Sequence, residues 1–424
     1  MNEDFIQFIW KHQYFNKAKL KTTSGSDVNI INPGFINKDS GPDFSHARIS
    51  IDNIEWNGQV EIHKTPNDWY AHKHQNNKAY DNVVLHVVWS GDEEVMRPDG
   101  TPIPTITLHG LVKPALIDRY RDIVENTKSF PCAPHISKVG QLKIFEVFDK
   151  ANAERLERKS LEVSVYLRKC KNDWNHTALR LLFANFGFKT NKDAFIRLFE
   201  TLPYNVIFKT SQNLIQLNAL LFGNAGFLDS DLHDEYHKLL KKEYSFISAK
   251  YDLKNKMKIS EWKFSKMRPA NFPSIRIAQL ASIIHKFPKF FTFVRSVETY
   301  KEIQNSLAIY TSQYWRENYN FGKPANKPMG KFGSTSIDSI IINSMAPLLA
   351  AYGYESDDHQ YIEKGLIWLQ NIKPEENKKT KIWTETGVEL KSAFDSQAAI
   401  HMTDNFCLKK RCLECSIGMS LINN

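Results

Sequence analysis

The sequence predicts an α+β chain in which an N-terminal α-β-β-β-α-β module leads into a mainly α-helical region. Three observations carry this expectation. Before about residue 108, β-rich runs, two of them alternating apolar and polar side chains, are separated by turn dipeptides. Beyond Gln141 the apolar positions recur at helical spacing instead. The length of 424 residues allows two or three domains, at ~100–200 residues each.

The elements follow in order. Phe5, Phe8, Ile9 and Phe15 lie close to helical spacing and predict a first helix. Gly25 and Ser26 open a loop, and Val28 to Ile31 read as a short strand. The stretch from Gly34 to Gly41 is turn-rich. Ala47 to Ile51 and Ile54 to His63 alternate on either side of Asp52-Asn53, which predicts a hairpin. Residues 65–82 read as a loop entering a short helix, and Val83 to Trp89 are apolar enough for an interior strand. After the turn at Arg97-Pro98-Asp99-Gly100, Pro102 to Leu108 form another short strand. A charged amphipathic helix is expected over 141–171, with a basic face that includes Arg155, Arg158 and Lys159. Further helices are expected near 175–186, 192–201, 212–222, 231–248, 274–286, 298–317, 335–351 and 357–371. The domain expectation is residues 1–135, 136–400 and a cysteine-containing tail over 401–424. There is no fixed-period repeat of the kind that marks a solenoid.

Composition narrows the function classes. With 42% hydrophobic and 24% charged residues the chain is globular, not disordered. No apolar run approaches the ~20 residues needed to cross a bilayer, so no membrane partner is expected. The opening residues lack an export signal, and five cysteines do not make a disulfide framework. A cytoplasmic protein is expected. The net charge of +9 favours anionic partners, nucleic acid first.

The chemistry concentrates around the hairpin. Asp43 precedes its first strand, and Glu61 and His63 end the second, two residues apart and therefore on one face. If Asp43 opens the paired strand, its carboxylate can reach Glu61. Two such carboxylates suit Mg²⁺ or Mn²⁺, which polarise a phosphoryl oxygen and generate hydroxide. Nearby imidazoles suit transition metals better, so Glu61, His63 and His74 could hold Mn²⁺ or Zn²⁺. For each histidine taken alone, the alternative is a hydrogen-bonded structural role.

The α-β-β-β-α-β order, the Asp before the strand and the Glu-x-Lys-like tripeptide resemble the PD-(D/E)XK nuclease superfamily over roughly residues 5–90. That likeness implies a restriction-endonuclease-like module with Asp43, Glu61 and His63 as catalytic and metal-binding residues. His63 stands where the superfamily carries lysine, and Lys78 is a candidate to have taken over the lysine role. As a whole, the chain resembles an uncharacterised bacterial family, domain of unknown function 2851. That resemblance rests on Gly41-Pro42-Asp43-Phe44, Gly58 to His63, Asn82 to Val88, Arg268 to Leu280 and the cysteine tail.

Cys407, Cys412 and Cys415 form C-x4-C-x2-C, and Cys132 is the best fourth ligand. Zinc or an iron–sulfur cluster is expected there; Cys170 reads as a bystander. Lys78, Arg268 and Arg276 are the candidate nucleic-acid contacts. The leading expectation is a metal-dependent nuclease. The alternatives are a non-catalytic nucleic-acid-binding or scaffold protein with a degenerate nuclease fold, and a metal-dependent hydrolase of another substrate.

Overall fold

In the computed structural model, which describes residues 2–126 and 130–423, the chain divides into two units. The first comprises Met1–Val147, Glu385–Val388 and Met402–Asn424; the second comprises Phe148–Thr384 and Glu389–His401.

The first unit opens with α1 (Glu3–His12), capped where the Asn2 side chain accepts from the Phe5 amide at 3.2 Å. Its apolar face, Phe5, Ile6, Ile9 and Trp10, is buried. Then follow β1 (Val28–Asn32), β2 (Phe35–Ile36), β3 (Phe44–Ile51) and β4 (Ile54–His63). Asp52 and Asn53, both at positive φ, make the two-residue turn between β3 and β4. After α2 (Asp68–Ala71) come β5 (Val83–Val88), β6 (Val95–Met96), β7 (Pro102–Ile103) and β8 (Thr105–Thr107). The unit continues with α3 (Pro114–Val124) and the start of α4 (Gln141–Lys169).

The main sheet has the order β1-β3-β4-β5-β8, with β2 paired to β3. Strand β4 runs antiparallel to β3 and parallel to β5, and β5 is buried along its whole length. The expected strands are present, with three differences. A further short strand, β2, lies within the Gly34 to Gly41 stretch that was expected to be turn-rich. The helix between the third and fourth strands is a single turn, α2, continued by two short 3₁₀ turns at His74–Asn76 and Lys78–Tyr80. The strand expected over Pro102 to Leu108 splits at Pro104, which has no N–H to donate. Its first half, β7, pairs β6, while β8 joins the main sheet.

The cysteine-containing tail, from Met402 on, belongs to the first unit. Its terminal helix, Ser416–Asn423, accepts from Arg119 Nε of α3 through the Ile422 carbonyl at 2.7 Å. Asn423 Nδ2 donates to the Tyr14 hydroxyl at 2.9 Å, and Lys410 Nζ to the Val124 carbonyl at 3.0 Å.

The second unit is mainly helical, around a core that includes Phe183, Phe186, Phe195, Trp262, Trp315 and Trp368. The single helix expected over 298–317 is two, Tyr300–Leu307 and Gln313–Glu317. The intervening backbone pairs elsewhere, the Phe332 amide donating to the Ile309 carbonyl at 3.0 Å. The basic face expected on α4 is not continuous. Arg155 is buried and donates through Nη2 to the Ile342 carbonyl at 3.2 Å.

Candidate metal-binding site

The site forms where β4 ends. Register places Phe44 opposite Val60, so Asp43, one step before β3, faces Glu61. The two residues grip each other's backbone. Glu61 Oε2 accepts from the Asp43 amide at 3.0 Å, and Asp43 Oδ2 accepts from the Ile62 amide at 3.0 Å. Gln7 on α1 donates to Asp43 Oδ1 at 2.9 Å, which fixes the remaining oxygen.

Along β4, Glu61 and His63 share a face and both are buried. Strand β5 places His86 beside Glu61 in the parallel register. Close approach of the two strands requires glycine at position 58, where a Cβ would lie 2.4 Å from Val84 Cγ1 and 2.6 Å from the Asn82 carbonyl oxygen.

The segment after α2 supplies two more imidazoles. His72 ends α2, and Lys73 takes a left-handed conformation (φ 62°) that turns the chain before His74. The His74 ring stacks on Tyr80 with centroids 3.8 Å apart. Beneath lies the fully buried Trp69.

These elements converge on one point. Glu61 Oε1 is 3.5 Å from His63 Nε2 and 3.2 Å from His74 Nε2. His63 Nε2 is 3.1 Å from His72 Nδ1. Ligand atoms of His63, His72 and His74 all lie within 4.8 Å of one another, the one such group among the described residues. On the far side of the ring, His63 Nδ1 lies 2.8 Å from His86 Nε2.

Burial sets the charge. It holds His63 neutral, down at about 2, with the neighbouring imidazoles adding to the effect. Burial likewise lowers His74 to about 4 and His86 to about 3. It raises the carboxyls of Asp43 and Glu61, and the Asp43 charge raises Glu61 further. The site thus offers neutral imidazole lone pairs beside a carboxyl pair that resists double ionisation, a set of groups a dication would complete.

Asp43, Glu61, His63 and His74 are therefore brought together. His72 and His86 were not expected as members. Their signals were a His-x-His pair after the strand and a histidine inside an otherwise apolar run. Lys78 is exposed on the 3₁₀ turn beyond His74, and Arg268 is exposed in the second unit. Arg276 does not sit at a surface as expected. It is buried, its guanidinium bonding Gln279 Oε1 at 3.0 Å, Ser336 Oγ at 3.1 Å and Asn271 Oδ1 at 2.7 Å, above the Phe188 ring. Cys132, Cys407, Cys412 and Cys415 are all buried in the first unit, and none forms a disulfide.

The fold and site define a mixed α/β protein whose sheet carries a histidine-rich cluster at a strand end, joined to a helical unit. Residues 3–378 match the family described as "Protein of unknown function (DUF2851)", and the chain belongs to that family. No curated protein and no solved structure matches it. Among the described residues, no helix is long and apolar enough to cross a membrane.

Proposed function

We propose that this chain is a divalent-metal-dependent hydrolase that cleaves phosphodiester bonds of nucleic acid. The observation that carries the reading is the spacing of Glu61 Oε1, His63 Nε2, His72 Nδ1 and His74 Nε2, between 3.1 and 3.5 Å for the contacts given above. Tetrahedral ligands on bonds of about 2.0–2.1 Å stand about 3.3–3.4 Å apart, close to these contacts, and the three imidazoles lie within 4.8 Å of one another with Glu61 beside two of them.

The donor set selects the ion. Mg²⁺ takes oxygen ligands and keeps several waters, whereas three neutral imidazoles with a carboxylate favour Zn²⁺ or Mn²⁺. Mg²⁺ therefore gives way to Zn²⁺ or Mn²⁺ in this reading. Asp43, with both oxygens committed to Ile62 and Gln7, is a positioning residue that holds Glu61 in place. His72 is exposed and marks the side on which water and substrate reach the ion. His63, His72 and His74 would hold the ion, which would supply a water acidified to about pKa 7, and Glu61 would accept its proton or serve as a fourth ligand.

Nucleic acid as substrate is supported by the net charge of +9. It is supported also by the α1-β1-β2-β3-β4-α2-β5 order with Asp43 and Glu61 across the hairpin, which apart from the short β2 is similar to that of PD-(D/E)XK nucleases. His63 takes the lysine position and joins the ligands.

The test is cleavage of DNA and RNA panels by metal-stripped protein reloaded with Zn²⁺ or Mn²⁺. Glu61→Gln and His74→Ala should each lose both the ion and the cleavage. Cleavage that persists equally in both variants overturns the assignment. A second reading follows from Glu61 as a fourth protein ligand, because closed four-ligand sites are structural. Stoichiometric metal in a protein that cleaves nothing on the panels would favour it.

A further inference from the structure

Four buried thiols in the first unit take no part in the site just described. Cys132, Cys407, Cys412 and Cys415 are each between 6% and 8% exposed, so water does not solvate them. The fold brings Cys132 to the other three across more than 270 positions of sequence. Cys132 leads directly into the 3₁₀ turn Ala133–Lys138, and Cys415 directly precedes the helix Ser416–Asn423, which packs on that turn and on α3. The Cys412 carbonyl accepts from the Cys415 amide at 3.3 Å, closing the C-x2-C turn. Gly418 lets the helix approach, since a Cβ there would meet the Cys412 carbonyl oxygen at 2.2 Å.

The thiols are near enough to feel one another electrostatically. Burial raises Cys132 and Cys407 strongly; Cys412 and Cys415 raise both further, and Cys132 raises Cys407. Burial also pushes Cys412 up to about 12, with Cys415 adding to the rise and Lys410 opposing it. Packing four ionisable sulfurs together inside a protein is unfavourable for thiolates unless a cation is shared among them.

The spacing indicates what that cation is. A single Zn²⁺ on bonds of about 2.3 Å draws its sulfurs to about 3.8 Å from one another. Among the described residues, no three of these thiols have their sulfurs within 4.8 Å of one another. Sulfurs set further apart than that are compatible with a polynuclear cluster, in which each thiolate binds a different iron. The helix Ser416–Asn423 begins directly after Cys415, so its positive end offsets the charge of a tetrathiolate cluster.

We propose that Cys132, Cys407, Cys412 and Cys415 ligate one iron–sulfur cluster that fastens the C-terminal segment to the first unit. The cluster is structural: its ligands are buried, and it closes a loop from Cys132 to Cys407. Nothing in this assignment depends on the hydrolase reading, and its test reads metal content and not cleavage.

The experiment uses the full chain purified without oxygen. Wild type should contain about four iron and four sulfide per chain, with broad visible absorbance that bleaches on reduction. Cys132→Ala, Cys407→Ala and Cys412→Ala should each lose iron and colour, whereas Cys170→Ala should keep both. If the variants do not fold, alkylation of native wild type decides: only Cys170 should react until the cluster is removed, after which all five should. Iron-free wild type with one zinc per chain overturns the cluster. So do four thiols that alkylate freely in native protein.

Discussion

His63 Nδ1 and His86 Nε2 lie 2.8 Å apart inside the sheet, on neighbouring parallel strands. If His63 is to present Nε2 as a lone pair toward His74 and Glu61, its ring proton must sit on Nδ1, where His86 Nε2 can accept it. In the proposed metal site, His86 would thus orient His63 without itself being a ligand. Partners of this kind typically change metal affinity by about 10–100-fold when removed. His86→Phe should weaken Zn²⁺ binding by that order in a competitive titration while leaving the ligand count unchanged. Unaltered affinity would mean that the imidazole pair does not organise the site.

His63→Lys restores the residue type of the nuclease motif but places a cation among the ligands. A protonated lysine repels a dication. The variant should lose Zn²⁺ binding as measured by dialysis and metal analysis, together with any cleavage. Retained binding would remove His63 from the ligand set.

The metal-free protein should lose stability as pH rises above 6.5. The sign follows from proton uptake. Glu61 is held above its ordinary 4.5 by burial and by Asp43, so the folded state keeps a proton that the unfolded chain has already lost. The stability this gives is complete below the unfolded value and disappears as pH rises through the folded one. The buried imidazoles act oppositely, because His63 is lowered from 6.5, but their contribution is lost only below that value. Thermal melts in chelator should therefore fall with pH above 6.5, and Glu61→Gln should flatten the slope. A flat wild-type profile would contradict the buried carboxyl.

Gly58→Ala tests the strand approach. The new methyl collides with Val84 and the Asn82 carbonyl, and overpacking of this kind costs about 1–3 kcal/mol. Denaturant unfolding should show that loss, with weaker metal binding because β4 carries Glu61 and His63. A neutral substitution would show that β4 and β5 can separate without consequence.

Arg276→Ala separates packing from recognition. The change leaves Gln279, Asn271 and Ser336 without their donor, a loss of roughly 1–3 kcal/mol in stability. Nucleic-acid affinity and its salt dependence should stay as in wild type. A reduced salt slope would return Arg276 to a phosphate contact.

The strand end was legible in part, because a period of two is unambiguous and Glu61 and His63 had to share a face. The register set by the Asp52-Asn53 turn would put Asp43 opposite Ile62, and the bulge between Phe44 and Ala47, which sequence did not reveal, brings it opposite Glu61. The contribution of His72 was not legible, because it depends on Lys73 adopting a left-handed conformation that sequence favours only for Gly, Asn or Asp. Arg155 and Arg276 were misread for a related reason. Arginine in a helical pattern reads as solvent-facing, and only tertiary packing reveals a guanidinium turned inward. The break after Leu307 was hidden likewise, since the residues beyond it pair with backbone far along the chain.

The first unit is assembled from both ends of the described chain, with about 250 residues of the second unit between Val147 and Met402. During synthesis, at roughly 5–20 residues per second, the ribosome delivers the sheet tens of seconds before the segment bearing Cys407, Cys412 and Cys415. The N-terminal portion must wait as an incomplete intermediate, with the α3 surface uncovered, while the helical unit emerges and folds. The nascent protein thus has a vulnerable interval in which chaperones and proteases meet an unfinished module, and its order of maturation runs opposite to its order of translation.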